Sequence, residues 1–446
     1  MGLGPSAFYD GGMRSLLLAL LISIATATVV AQQNRTNQCD TDNGGLTLPQ
    51  GFCAKVIADV AAPARHVAVA PNGDIYTVLA VAGGPLAPPP SGPPTPGVVA
   101  LRDADRDGKY EQIEKFGPGL QGTGLLLHNG YLYVGADQRV VRFRLDGKSL
   151  VPSAQPEVII DGLPRANPHS AKSIAIGDGN ALYVHVGGPT NACQNPDRRP
   201  GAPGENPCSQ LELHGGVWKY EAGKAGQKHE ASRRFATGIR HTVAMAWNPA
   251  SRQLYAAQNG RDQLDTLWPK SFTAQDNADR PAEEMQLLKQ GANFGWPYCF
   301  YDLATKKRLL NPEYGGDGKS EGDCAKYEKP IATFPAHNAP VGMTFYTGTQ
   351  FPATYRNGAF VVFHGSWNRM PFPQAGFNIR FVPFKGEQPS GESQVFASGF
   401  AGKDVIKAPN DAVYRPVGIA QAPDGSLIVT DDSKGRIWRI SYTGSR

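Results

Sequence analysis

Residues 335–369 read PAHNAPVGMTFYTGTQFPATYRNGAFVVFHGSWNR, in which two apolar runs, 341–346 and 359–363, flank a turn-rich centre with Pro352 and Asn357-Gly358. Apolar runs separated by such turn residues predict an antiparallel hairpin. In that geometry the entrance to the first strand lies beside the exit from the second. His337 and Asn338 are therefore expected near His364, Ser366, Trp367, Asn368 and Arg369, a cluster with the chemistry of a site.

The same pattern recurs outward along the chain. HVAVAPNGDIYTV from His66, GLLLHNGYLYVGAD from Gly124, SIAIGDGNALYVHVG from Ser173, VAMAWNPASRQLYAAQNG from Val243 and VGIAQAPDGSLIVTDD from Val417 each read as strand, turn, strand. Six such hairpins, with Gly/Pro-rich connectors and almost no helical period, predict an all-β fold: a six-bladed β-propeller forming one large domain over residues 48–446. The long gap between the fourth and fifth hairpins leaves room for a degenerate seventh blade or a large insertion near residues 262–330. The tail GRIWRISY from Gly435 is expected to pair with FCAKVIADV from Phe52, which would close the ring and remove its exposed edges.

Composition narrows the setting. The chain has 446 residues and a formal net charge of +5, with no Lys/Arg cluster interleaved with aromatics, so nucleic acid is not an expected partner. Arg14, an apolar core and small residues ending near Ala31 read as a signal peptide over 1–31, followed by a lead-in over 32–47. The run is short for a bilayer and lacks a positively charged stop, so no stable membrane span is expected and the destination is periplasmic or secreted. Export turns the six cysteines into expected disulfides, and proximity alone suggests Cys39 with Cys53, Cys193 with Cys208 and Cys299 with Cys324. The segment GGPLAPPPSGPPTPG, 83–97, reads as a Pro-rich insertion in the first blade, a surface loop or stiff spacer.

Sorting polar residues by hairpin end gathers them on one rim. His169 and Ser170 precede the third hairpin, with Thr190 and Asn191 after it; Arg240 and His241 precede the fourth, with Asn259, Arg261 and Asp262 after it; Arg415 precedes the last, with Asp431 and Asp432 after it. Arg240, Arg369 and Arg415 together would form an anion-binding funnel, since guanidinium forks suit carboxylates. His169 is a candidate general base, and Trp367 and Trp296 offer flat faces to a planar ligand. Each also has a plainer reading: His169 as a turn residue, the arginines as partners of neighbouring aspartates, Asp431-Asp432 as a turn. Separately, DADRDGKYEQIE matches the calcium-loop pattern, making Asp103, Asp105, Asp107 and Glu114 candidate ligands of a structural Ca²⁺. Its strand-like flanks argue for a hairpin turn over a helical EF-hand.

Four ordered motifs carry a family resemblance: ATGIRHTVAMAWNP with NGRDQLD, then NFGWPYCF, then the opening hairpin, then RPVGIAQAPDGSLIVTDDSKGRIWRISY. Together they resemble the glucose/sorbosone dehydrogenase family, closest to its L-sorbosone dehydrogenase-type branch, over roughly residues 48–446. The resemblance implies a propeller holding pyrroloquinoline quinone and Ca²⁺, which oxidises a sugar, sugar aldehyde or polyol and passes electrons to an external acceptor. It implies His169 as the base, Arg240 as the group that stabilises charge on the quinone oxygen, and Arg415 on a cofactor carboxylate. Arg369 stands where the glucose branch has lysine, His241 where asparagine is usual, and Trp367 supplies a face. The carbonyls of Gly260 and Arg261 stand where the family holds its catalytic calcium. The glucose branch orients its base with an acid after the third hairpin, and here that stretch is Gly187-Gly188-Pro189-Thr190. That departure keeps a non-catalytic carbohydrate- or protein-binding propeller as the alternative. A calcium-dependent hydrolase is a further one, less suited to a rim richer in arginine than in acids.

Overall fold

Along the third hairpin's second strand, Ala181–Val186, every residue is buried, as it is along Ile75–Leu79, Ala359–Phe363 and Leu427–Asp431. A strand covered on both faces lies between two sheets, whereas outer strands such as Gln112–Pro118 alternate half-buried and exposed positions. The structure is a computed structural model that describes residues 1–2, 39–79 and 96–444. Nearly all of the expected signal peptide and of the Pro-rich insertion lies outside the described residues.

The six hairpins each recruit two more strands into a four-stranded antiparallel sheet, giving six blades; the second adds a short parallel strand, Gln227–Lys228, at its outer edge. The innermost strands are Ala64–Val69, Gly122–His128, Ile174–Ile176, Thr242–Asn248, Pro340–Phe345 and Pro416–Gln421. Each packs against the next, and the sixth returns to the first. Glycine permits this proximity: a Cβ on Gly124 would sit 2.3 Å from the Lys172 carbonyl oxygen, and one on Gly342 2.1 Å from that of Val417. The apolar core fills the spaces between blades, as where Tyr76 and Val98 of the first meet Leu132 and Val141 of the second.

The ring closes as expected. Strand Phe52–Asp59 pairs antiparallel with Arg436–Tyr442, Phe52 opposite Tyr442 and Asp59 opposite Arg436, so the chain's two ends complete one blade. Phe52 is 7% exposed and packs edge-on against Phe351, Tyr355, Phe396 and Tyr442.

The gap at 262–330 is an insertion, not a seventh blade. Glu283–Leu288 and Ala332–Phe334 complete the fourth blade. Around the first of them lie two short helices, Leu264–Leu267 and Ala274–Asp279, and a hairpin of Cys299–Asp302 with Lys307–Leu310. The Cys299–Cys324 disulfide ties this insertion together, and Cys39–Cys53 and Cys193–Cys208 are also formed. No helix among the described residues is long and apolar enough to cross a membrane.

Candidate active site at the channel mouth

The strand Ala181–Val186 runs out into Gly187-Gly188, and the Gly188 carbonyl meets His169 Nδ1 at 2.6 Å. A carbonyl only accepts, so Nδ1 donates and Nε2 keeps its lone pair. The Gly188 N–H donates to the Arg240 carbonyl at 2.8 Å, which locks the two blades together at this point. Side chains are excluded here, because a Cβ on Gly188 would come within 2.4 Å of the Trp296 ring. The backbone thus does the orienting work that the sequence assigned to no residue. Burial, then the Arg240 charge, holds the His169 pKa well below its ordinary value. His241 stacks on it at 4.7 Å between ring centroids, and burial followed by the His169 ring depresses its pKa too.

Arg240 is the hub of the mouth. Its backbone N–H donates to Gln258, while its guanidinium donates to the Gly260 carbonyl at 2.8 Å and to Asp262 Oδ2 at 2.5 Å. Asp262 also accepts from Arg198 at 2.9 Å and from Asn368 at 3.2 Å, and its N–H donates to Asn191. Burial pushes this carboxyl up, but the Arg240 and Arg198 charges outweigh that and hold it far below the usual range. His337 donates from Nε2 to the Asn277 carbonyl, and its Nδ1 accepts from Asn368. Loops of three blades converge on one carboxylate.

A second ionic group joins the fifth, sixth and first blades. His364 Nε2 donates to Asp432 at 2.7 Å, Arg65 pairs with the same carboxylate at 3.2 Å, and Arg415 donates to His364 Nδ1 at 2.8 Å and to the Gly365 carbonyl. Burial raises Asp432, yet His364 and the two arginines hold it at about 2. Arg415 touches no carboxylate with its guanidinium among the described residues. It is the mouth arginine with capacity left for an anion.

Residues 119–443, most of the chain, match the TrAA12-like family model. The chain belongs to the TrAA12-like family. A Trichoderma reesei protein of Carbohydrate-Active Enzymes Family AA12, in its iodide structure, superimposes with a TM-score of 0.72 at 17% identity, over 91% of this chain and 100% of that one. The holo form of the pyranose dehydrogenase PQQ domain from Coprinopsis cinerea gives 0.66 at 16% identity, over 89% and 97%. Identities this low speak to the shared propeller fold. In sequence, an uncharacterized protein of Borreliella burgdorferi is 32% identical over 209 residues, 46% of this chain and 48% of its own length. The pyrroloquinoline quinone-dependent pyranose dehydrogenase of Coprinopsis cinerea is 27% identical over 192 residues, 37% of this chain and 25% of its own. This TrAA12-like chain therefore spans about half of the first relative and a quarter of the second.

Several rim residues of the TrAA12-like chain stand elsewhere than sequence order suggested. Arg369 is spent on the carbonyls of Ala278, Ala336 and Pro373 and on Asp279, bracing the insertion against its own loop. Trp296 offers no open face: it is buried, donates to the Asn191 carbonyl at 2.9 Å and fills the space over Gly188 and Gly215. Trp367 does stand in the open, 50% exposed, with the Arg198 guanidinium 5.9 Å from its ring centroid. The Gly260 carbonyl accepts from Arg240, and the Arg261 side chain is buried in a pair with Glu313 at 2.7 Å.

The acidic loop also differs. Its mutually close carboxylates are Asp103, Asp105, Asp107 and Glu111, whereas Glu114 sits in the strand Gln112–Pro118 and accepts from Gln112. In an EF-hand a helix returns the last glutamate to the loop; a strand rises about 3.3 Å per residue and carries it away. Residues that sequence reasoning did not assign to the site are Arg65, Asn191, Arg198, Asp262 and Glu283. Glu283 accepts from the Gly260 and Ala339 N–H groups, and burial raises it to about 7. Asn191 and Asp262 had a signal in the sequence, as exit residues of the third and fourth hairpins.

Proposed function

We propose that this protein is an exported oxidoreductase that oxidises a sugar, a sorbosone-like sugar aldehyde or a polyol with pyrroloquinoline quinone as cofactor and Ca²⁺ beside it. The observation that carries the reading is the Nε2 lone pair of a neutral His169, set by the Gly188 carbonyl next to Arg240. The residues suit a planar tricarboxylate. The Arg415 guanidinium bonds no carboxylate among the described residues, and Arg65 Nε and His241 Nδ1 are buried polar atoms without a hydrogen-bond partner there.

When bound, the quinone supplies the acceptor for a substrate hydride. His169 accepts the substrate hydroxyl proton at Nε2, and its depressed pKa keeps that atom free at neutral pH. Arg240, fixed by Asp262 and Gly260, presents positive charge where negative charge develops. Arg65 and Arg415 would grip carboxylates, and the carbonyls of Gly260 and Arg261 would face the Ca²⁺. Trp367 would border the substrate's approach. Three disulfides suit an oxidising compartment outside the cytoplasm, where electrons would leave to an external acceptor.

Calorimetry with the quinone, with and without Ca²⁺, followed by dye reduction with aldoses, ketoaldehydes and polyols, tests the reading. Binding with turnover that His169→Ala abolishes is expected. Absence of quinone binding would overturn it, and glycan binding without turnover would favour a non-catalytic propeller.

A further inference from the structure

The first residue past a blade's second strand lands on the rim of the mouth. In the third to sixth blades that residue is Gly187, Asn259, His364 and Asp432, the last two bonded to each other. In the second blade it is Asp137, which follows Tyr131–Ala136 and donates its N–H to the Gln121 carbonyl, just before the innermost strand. Gly122 lies opposite Ala136, so Asp137 takes on its blade the place that Asp432 takes on the sixth.

The two carboxylates are used differently. Asp432 is closed by His364 at 2.7 Å and by Arg65 at 3.2 Å. The half-buried Asp137 side chain forms no ion pair or hydrogen bond with a described residue; Lys172, Arg165 and Arg65 act on it only through space, against a burial that raises its pKa. Lys172 is 0% exposed, and its ammonium donates to the Ser170 carbonyl at 2.8 Å. The two blades touch at this point: a Cβ on Gly135 would come within 2.2 Å of the Lys172 carbonyl oxygen. His169 is three residues before Lys172 in sequence, and Asp137 two after Gly135. Base and carboxylate thus flank one short contact between the second and third blades.

The charges here select what Asp137 can bind. A metal ion or organic cation would meet Lys172, Arg165 and Arg65. A carboxylate or phosphate would meet Asp137 itself. A neutral donor meets neither obstacle. Sugar hydroxyls are such donors, and a carboxylate can accept one on each oxygen, in charge-assisted bonds roughly twice as strong as neutral ones.

We propose that Asp137 is a sugar-binding residue, accepting hydroxyl hydrogen bonds from a neutral sugar or polyol whose reacting hydroxyl faces His169. This rests on the function proposed above and narrows its substrate class to neutral sugars and polyols over sugar acids.

The test takes the best neutral substrate of the aldose and polyol panel, with its monodeoxy analogues, on the quinone-loaded protein. Asp137→Asn should raise KM about tenfold with kcat within threefold, while the quinone Kd and the urea midpoint stay as in the wild type. One monodeoxy analogue should lose about tenfold in the wild type and nothing further in the variant, which marks the hydroxyl that Asp137 holds. A KM within twofold of the wild type, or a quinone Kd that weakens along with the sugar KM, overturns the proposal. Should Asp137→Asn fail to fold, Asp137→Ser carries the same expectation. If the wild type binds no quinone, the proposed function fails by itself, and saturation-transfer NMR with the same sugars decides this site. Sugar signal lost in the variant then supports it, and signal kept in the variant, or seen in neither protein, overturns it.

Discussion

His169 and His241 lie ring on ring, 4.7 Å between centroids and 23° from parallel, with His185 6.1 Å from His241. Charging any one of these imidazoles would place it, buried, against another. Burial and then the Arg240 charge keep the His169 lone pair available, which ties the site to the protein's acid stability.

An imidazole whose folded pKa lies below its unfolded value takes its proton on unfolding, so stability is whole above about 6.5 and lost as pH falls from there. His66, depressed to about 4 by burial, and His185, depressed to about 3 by burial, act with His169 and His241. Each of the first two contributes about 1.4 kcal/mol per pH unit once the unfolded chain is protonated. Glu283, raised to about 7, opposes them, since its contribution is present at low pH and lost as pH rises through 7. With His214, His229, His337 and His364 also lowered, chiefly by burial, eight imidazoles against this carboxyl predict a urea midpoint that falls steadily from pH 7 to pH 5. A flat or rising midpoint contradicts this.

Asp262→Ala leaves the buried Arg240 without its carboxylate and leaves Arg198 with Asp197 and Gln263 alone. Removing one partner of a buried pair should cost about 3–5 kcal/mol in denaturant unfolding. Asp262→Asn, which keeps an acceptor, should cost less than half as much. Equal losses in the two variants would show that shape, not charge, matters at this position.

Gly188→Ala forces a methyl into the Trp296 ring, and the Gly188 carbonyl that orients His169 must move. Overpacking of this kind costs about 1–3 kcal/mol. The His169 Nδ1 proton signal in NMR should shift or vanish. Adding Trp296→Phe, which clears space, should recover part of the stability; no recovery would locate the strain elsewhere.

Phe52→Ala removes the aromatic that fastens the closing strand to four neighbouring rings. A loss of about 3–5 kcal/mol is expected for a buried Phe. Hydrogen exchange should rise first along Phe52–Asp59 and Arg436–Tyr442, the two paired ends. Exchange rising uniformly over all blades would argue against closure as the local event.

Much of the molecule was legible without coordinates. The hairpin at 335–369 and its five relatives announced six blades, and the Gly435 and Phe52 segments announced the closure. His169, Arg240 and His241 were placed on one rim by hairpin order, and they do meet there. Arg369 was placed by the same rule, Trp296 as a flat face for a ligand and Glu114 by the calcium-loop pattern, and their side chains went elsewhere.

Strand alternation and turn chemistry act over a few residues, so the sequence by itself determined the hairpins, their number and the rim each loop end reaches. Which atom faces which on that rim was decided only by the tertiary structure. Gly188 orients His169 with a carbonyl that every residue type possesses, and Asp262 collects partners from positions as distant in sequence as 198 and 368. A buried guanidinium takes whichever acceptor the converging loops bring within about 3 Å, because leaving it unpaired costs more than any local preference.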